Sequence, residues 1–264
     1  MPIDHIWIFP PANKPSKIWN ISTKIILSLV GASSKLWSDW LNTFNLINGD
    51  ILYKTIEDRP SNQGLVTVSN HYSCIDEPLL WGILKWKYLI GARNIRWTLG
   101  ADNICFTKYW HTVFFSLGRV VPVCRGEGVY QRSMDFVLEQ LNRGQWLHMF
   151  PEGKVNLTKE CLRLKWGVGR LIADCNNNSL VLPMWHIGMD SILPNKKPYI
   201  PRIGQTVTIL VGEPLQFKSD VDSLRQDGKS AREIRKHITD KIQEEMKLLR
   251  KRAEQYHCEK LHKS

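Results

Sequence analysis

Apolar residues fall along this chain in stretches of two kinds, and the spacing changes from one stretch to the next. In residues 18–41 they recur at helical spacing: Ile18, Ile21, Ile25, Leu29, Leu36 and Trp40, with Ile26, Val30 and Trp37 widening the stripe. One amphipathic helix is expected there. Residues 46–58 read as a short polar helix and 60–64 as a loop. Residues 65–69 are rich in Val and Thr and read as a buried strand. Pro78 then opens a helix over 78–90 that is apolar nearly all round. Further strands are expected at 95–99, 119–123, 146–150, 181–185 and 206–211. Further helices are expected at 106–117, closed by Gly118, and at 129–142, 164–175 and 230–257. Gly167 and Gly169 suit close packing in the third of these. Strands alternating with helices, with no repeat and no long linker, predict one α/β domain. Its central sheet is expected to be mixed, largely parallel and flanked by helices. The division expected is 1–45 for a lead and a membrane-associating helix, and 46–264 for the folded domain with its charged C-terminal helix.

The helix at 18–41 is a poor candidate to span a bilayer, which needs about 20 mostly apolar residues. Lys24 and Lys35 bracket only the run 25–34, which itself contains three serines. An in-plane anchor fits better, with Trp19, Ile25, Leu29, Trp37 and Trp40 at the headgroup level. The competing reading packs this helix on the domain's own core. The 78–90 segment is either deeply buried or dips into lipid, where Trp81 and Trp86 would join the contact. It is too short to span.

Composition narrows the partners. The chain has 264 residues, 43% hydrophobic and 23% charged, as in a globular protein. Its formal net charge of +11 suits an anionic partner, nucleic acid or an acidic membrane surface. The 11 tryptophans favour the membrane surface, and no recognised nucleic-acid motif is present. The six cysteines have neither C-x-x-C nor zinc spacing and read as packing thiols. His111, His148 and His186 have no metal-ligand spacing and read as packing or hydrogen-bonding residues. Neither metal nor cofactor is expected. The first residues lack a basic n-region, and prolines follow at 10, 11 and 15, so no secretory signal is expected there.

The chemistry-bearing residues lie just after expected strands. Asn70-His71-Tyr72-Ser73-Cys74-Ile75-Asp76 follows the strand at 65–69. Open α/β sheets bind ligands at strand C-termini. A tight turn can fold the carboxylate of Asp76 onto the imidazole of His71 and make the other ring nitrogen a general base. The bland alternative is a surface turn with a helix-capping Asp. Arg125 follows the strand at 119–123, and its planar fork suits a phosphate. Glu152, Gly153 and Lys154 follow the strand at 146–150. Glu152 suits hydroxyls or the orientation of His71, and Gly153 lets backbone approach a ligand. Cys74 beside His71 is weighed as a nucleophile and set below a small packing thiol.

Taken in order, Asn70-His71-x-Ser73-x-x-Asp76, Gly118 to Arg125, Phe150-Pro151-Glu152-Gly153 and Val181-Leu182-Pro183 resemble the four blocks of the glycerolipid acyltransferase family. The resemblance covers roughly 65–215, and its first and third blocks together are highly specific. Many members follow Glu-Gly with Thr-Arg, where this chain has Lys154-Val155. That departure weakens the case for glycerol-3-phosphate as acceptor. The longer blocks Phe150 to Asn156, Leu164 to Arg170 and Trp185 to Met189 are similar to the family's phospholipid-remodelling members.

The resemblance implies a glycerolipid acyltransferase-like fold and a phospholipid–lysophospholipid transacylase that needs no coenzyme A. It implies remodelling of cardiolipin in mitochondria, with monolysocardiolipin and phosphatidylcholine among the lipids exchanged. It further implies a peripheral place on inner and outer membrane leaflets facing the intermembrane space, and a homo-oligomer is compatible with it. In the implied roles His71 takes the hydroxyl proton and Asp76 stabilises the imidazolium. Arg125 holds a headgroup phosphate, while Asn70, Ser73, Glu152, Gly153 and Lys154 form the substrate pocket. Backbone amides near 153 are the candidate oxyanion donors. A coenzyme A-dependent lysophospholipid acyltransferase is the runner-up, and a basic membrane-binding scaffold is the reading outside enzymes. A lipase-like hydrolase is disfavoured, since no Gly-x-Ser-x-Gly elbow is present.

Overall fold

A computed structural model describes residues 3–11, 14–90 and 95–261. Helix α1 (Lys17–Leu36) is capped by Ser16, whose side chain accepts from the Trp19 backbone N–H at 3.1 Å. It runs on through a π-helical turn, Trp37–Leu41, so the helix expected at 18–41 is present. Its faces are inverted relative to a water-facing helix. The buried stripe is small, with Thr23, Gly31, Ser34 and Ser38 around Leu27. The large apolar residues face outward: Ile25 is 53% exposed, Leu29 60% and Trp40 80%. Gly31 is what lets α1 approach so closely, because a Cβ there would lie 2.9 Å from Leu89.

Strand β1 (Thr43–Ile47) and helix α2 (Gly49–Glu57) replace the single helix expected at 46–58. Asn48 turns the chain between them in the left-handed region, φ 58°. The boundary drawn at residue 45 therefore falls inside a strand of the sheet. Strand β2 (Leu65–Val68) is buried at every position.

The segment 78–90 is not one helix. It divides into α3 (Asp76–Leu80), a 3-10 turn over Trp81–Ile83, two extended residues and α4 (Trp86–Leu89). Gly82 sits at the break, where a Cβ would lie 2.7 Å from the Ser34 carbonyl of α1. The apolar run reflects burial between α1 and the sheet, not a helical stripe. Trp81 is only 3% exposed and packs edge-on to Trp146 and His148, so it is not a membrane residue.

Beyond β3 (Trp97–Ala101) comes a short helix with no counterpart in the sequence reading, α5 (Asp102–Cys105), and then α6 (Tyr109–Leu117), which starts three residues later than the helix expected at 106–117. Gly118 caps α6 with an ordinary negative φ, and Arg119 takes the left-handed position at φ 59°. Strand β4 (Val120–Val123), helix α7 (Arg132–Asn142) and strand β5 (Trp146–Met149) follow as expected. Helix α8 (Gly167–Asp174) starts three residues late, and a Cβ on Gly169 would lie 2.4 Å from the Arg235 carbonyl. Then come β6 (Leu180–Ile187), α9 (Met189–Ile192), β7 (Thr206–Val211), α10 (Lys218–Gln226) and α11 (Ala231–Leu261).

The seven strands form one sheet in the order β1-β7-β6-β2-β5-β3-β4. All neighbours are parallel except β6 and β7, as expected of a mixed, largely parallel sheet. One apolar cluster joins Val66, Val68 and Leu147 to α8 and α11. A second joins Leu65, Trp146 and Leu182 to α2, α3 and α4. Strand β2 lies at the centre of the order, so its C-terminal end is flanked on both sides. That is the position of His71.

Candidate active site

The turn after β2 is built around one carboxylate. Asp76 is 0% exposed, and its Oδ2 accepts the backbone N–H groups of Tyr72 at 2.6 Å and Ser73 at 2.9 Å. The same oxygen lies 2.9 Å from His71 Nδ1. The turn thus folds the carboxylate back onto the imidazole, as the His-x4-Asp spacing predicts. A carboxylate only accepts, so Nδ1 carries the proton and Nε2 is left as the basic nitrogen. The His71 ring stacks on Phe150, 4.2 Å between centroids and 19° apart. Its side chain keeps 18% exposure, enough to meet a substrate from outside.

The loop after β5 fastens this turn from the other side. The His71 N–H donates to Glu152 Oε1 at 3.1 Å, and the Asn156 N–H donates to the His71 carbonyl at 2.7 Å. Burial pushes the Glu152 carboxyl up, with the His71 N–H pulling the other way. Gly153 turns at φ 73°, a backbone region that disfavours a side chain. Its N–H donates to the Phe150 carbonyl at 3.0 Å, so this amide is already used and is not a free oxyanion donor. Gly153 and Lys154 are exposed beside the turn.

Other expected site residues are placed differently. Asn70 is fully buried and its amide is spent on His186: Nδ2 donates to the His186 carbonyl and Oδ1 accepts the His186 N–H, both at 2.9 Å. Ser73 is also fully buried and donates to the Leu193 carbonyl at 3.0 Å. Both build the turn and do not face a ligand. Arg125 is exposed beyond β4, at the edge of the sheet, and donates to Asn103 Oδ1 at 3.2 Å. Three strand spacings of about 4.8 Å separate β4 from β2, so Arg125 shares the rim with His71 without touching it. Cys74 is exposed, but partial burial pushes its thiol up, the opposite of an activated nucleophile.

The Glu77–Arg96 pair had no signal in the sequence, whereas His148 and His186 are the packing and hydrogen-bonding residues expected of them. Glu77 pairs with buried Arg96 and accepts from Trp81 Nε1 at 3.2 Å, which pins the first turn of α3 beside Asp76. His148 lies under the site, 2.8 Å from Thr67 Oγ1 through Nδ1, and burial holds it well below the usual imidazole range. His186 enters from β6 and reaches both Asn70 and Asp76.

Two grooves flank the turn. One, of about 320 Å³, is lined by Leu29, Val30 and Trp37 of the first helix with Pro78 and Leu79 just after the Asp. The other, of about 380 Å³, is lined by Cys74, Val155, Leu157, Asn195 and Tyr199. Of the residues assigned to the membrane, Ile25, Leu29, Trp40 and Trp86 are exposed. Trp19 and Trp37 are half-buried, Trp19 against Phe9 at 5.7 Å. Among the described residues no helix is long and apolar enough to cross a membrane.

The His71–Asp76 pair at the end of the central strand has the geometry of a general base held by a carboxylate. Residues 50–187 match the family model described as Acyltransferase. The chain belongs to the acyltransferase family, and it is an acyltransferase enzyme. Its likeness to tafazzin runs the length of the chain: it is 45% identical to Drosophila melanogaster tafazzin over 260 residues, 98% of this chain and 69% of that protein. It is 34% identical to an N-acylphosphatidylethanolamine synthase of Arabidopsis thaliana, over 78% of this chain and 75% of that one. The solved 1-acyl-sn-glycerophosphate acyltransferase of Thermotoga maritima shares the fold at a TM-score of 0.57 and 17% identity, covering 93% of this chain and 86% of that one.

Proposed function

We propose that this protein is a tafazzin-type transacylase that moves acyl chains from phospholipids to lysophospholipids without coenzyme A, and so remodels cardiolipin on mitochondrial membranes. The observation that carries the reading is the His71–Asp76 hydrogen bond, in a turn whose following helix packs against an outward-facing apolar helix. Such a site takes both donor and acceptor from a lipid surface.

His71 Nε2 takes the proton of the lysophospholipid hydroxyl as its oxygen attacks the ester carbonyl of the donor. Asp76 Oδ2 stabilises the imidazolium. The donor's C–O ester bond breaks, and the leaving glycerol oxygen receives the proton back from His71. The products are one new phospholipid and one new lysophospholipid, with no net proton change. Glu152 holds the His71 backbone, and Arg125 and Lys154 on the rim suit phosphate headgroups. The test presents labelled phosphatidylcholine and monolysocardiolipin in vesicles freed of coenzyme A. Label passes to cardiolipin at full rate, and added acyl-coenzyme A brings no increase. Transfer only after acyl-coenzyme A is added hands the function to the coenzyme A-dependent reading.

Attachment to the membrane is peripheral in this account. Burying an isoleucine or leucine side chain is worth about 1.5–3 kcal/mol. Ile25→Glu with Leu29→Glu therefore weakens binding to cardiolipin-containing vesicles at least about tenfold, read by co-sedimentation. Salt weakens it further, because the chain's +11 charge acts through a screened attraction. Undiminished binding by the folded double variant would move the anchor elsewhere.

A further inference from the structure

His186 has no place in the proton transfers above, yet it touches the carboxylate on which they depend. It is 0% exposed, near the C-terminal end of β6. Strand β6 pairs in parallel with β2, Val68 opposite Pro183, and runs on past the end of β2. This brings residue 186 beside the turn of 70–76 from far along the chain. Its backbone is tied there by both ends of the Asn70 amide.

The ring chemistry is fixed by its neighbours. His186 Nε2 lies 2.8 Å from the Asn70 carbonyl, which only accepts, so Nε2 carries the proton. The same nitrogen lies 3.4 Å from Asp76 Oδ2, the oxygen that holds His71. Nδ1 is buried and has no partner among the described residues. A proton on Nδ1 would create a buried, unpartnered N–H and place a cation against Asp76. That cation would compete with His71 for the carboxylate's charge. Burial disfavours it, and holds the ring below the usual imidazole range against the pull of Asp76. A neutral ring in this position lies against the carboxylate without neutralising it.

We propose that His186 is a positioning residue for acyl transfer: its Nε2–H, donated to the Asn70 carbonyl, anchors residue 70 and sets the ring edge 3.4 Å from Asp76 Oδ2, which keeps the carboxylate turned so that His71 holds its proton on Nδ1. The inference rests on the reading of His71 as the base. It makes two imidazoles and one carboxylate a single unit, drawn from the turn after β2, the start of α3 and strand β6.

The test compares His186→Met, which keeps bulk and loses the donor, with His186→Gln, whose amide nitrogen can reach the place of Nε2. Leaving the buried Asn70 carbonyl without this donor has a cost that corresponds to about 5–100-fold. His186→Met lowers kcat by that factor with little change in KM for the lysophospholipid, and His186→Gln recovers most of the loss. In a His71→Ala background, His186→Met brings no further loss, because the carboxylate no longer has a base to orient. Thermal unfolding followed by circular dichroism shows which variants are folded. Three results overturn the proposal: a folded His186→Met at full kcat, equal losses in the Met and Gln variants, or an undiminished further loss in the His71→Ala background. A folded His71→Ala that keeps its activity overturns the base reading and this proposal together, whereas the first three results leave the base reading standing.

Discussion

His71→Ala loses acyl transfer by about 10²–10⁴-fold, the usual cost of removing a general base, while the folded protein keeps its hold on membranes. The two readouts separate because the parts are separate. The base sits at the end of the central strand with its Nδ1 fixed by Asp76, and Ile25, Leu29 and Trp86 are exposed on α1 and α4. His71 is partly exposed, and its side chain bonds to Asp76 alone among the contacts that define the turn, so its removal leaves the backbone ties to Glu152 and Asn156 in place. Initial rates of acyl exchange and vesicle co-sedimentation on the same preparation check the outcome. A folded variant with most of its activity would show that another group removes the proton.

Asp76→Asn is expected to be as severe. The change keeps the shape of the side chain and one oxygen able to accept from Tyr72 and Ser73, so the turn survives. What is lost is the negative charge beside Nδ1. The imidazolium formed in the step is no longer stabilised, because the amide oxygen that accepts from Tyr72, Ser73 and Nδ1 carries no full charge. The same change at a Ser-His-Asp triad lowers kcat about 10⁴-fold, and a loss of about 10³-fold or more is expected here. The measurement is kcat for exchange alongside the unfolding temperature. Asp76→Asn with wild-type kcat would reduce the carboxylate to a cap for the turn, which is the bland reading of this spacing.

Much of this was legible in the sequence because the signals are local. The Val- and Thr-rich run before His71, the proline just after Asp76 and the four-residue gap between them set the strand, the helix start and the fold-back of the carboxylate. The amphipathic stripe of the first helix was legible for the same reason, but not which face is inside. Thr23, Gly31, Ser34 and Ser38 face the protein, leaving the large apolar residues to the outside. One face of the helix packs on the domain, as the competing reading has it, and the outward apolar face is what suits lipid. The 78–90 run misled because burial on all sides erases periodicity. It hid the break at Gly82 and the interior place of Trp81. Strand β1 was missed because it is short, only half-buried and paired with β7, more than 150 residues on.

The supports of the site were illegible for a single reason: each is made by pairing across long sequence separations. Arg96 meets Glu77 from beyond α4, Asn156 meets His71 from the loop after β5, and His186 meets Asp76 from β6. No spacing rule predicts them. Asn70 and Ser73 illustrate the converse. They stand in the most specific block of the sequence, and the structure spends their side chains on holding the turn.

The most direct measurement is a mass balance. Wild-type protein is given phosphatidylcholine and monolysocardiolipin in vesicles without coenzyme A, and every lipid product is counted by mass spectrometry. The account predicts one lysophosphatidylcholine formed for each monolysocardiolipin consumed, no free fatty acid, and loss of both signals in His71→Ala. Free fatty acid released in place of new cardiolipin, or equal product from His71→Ala, would contradict it.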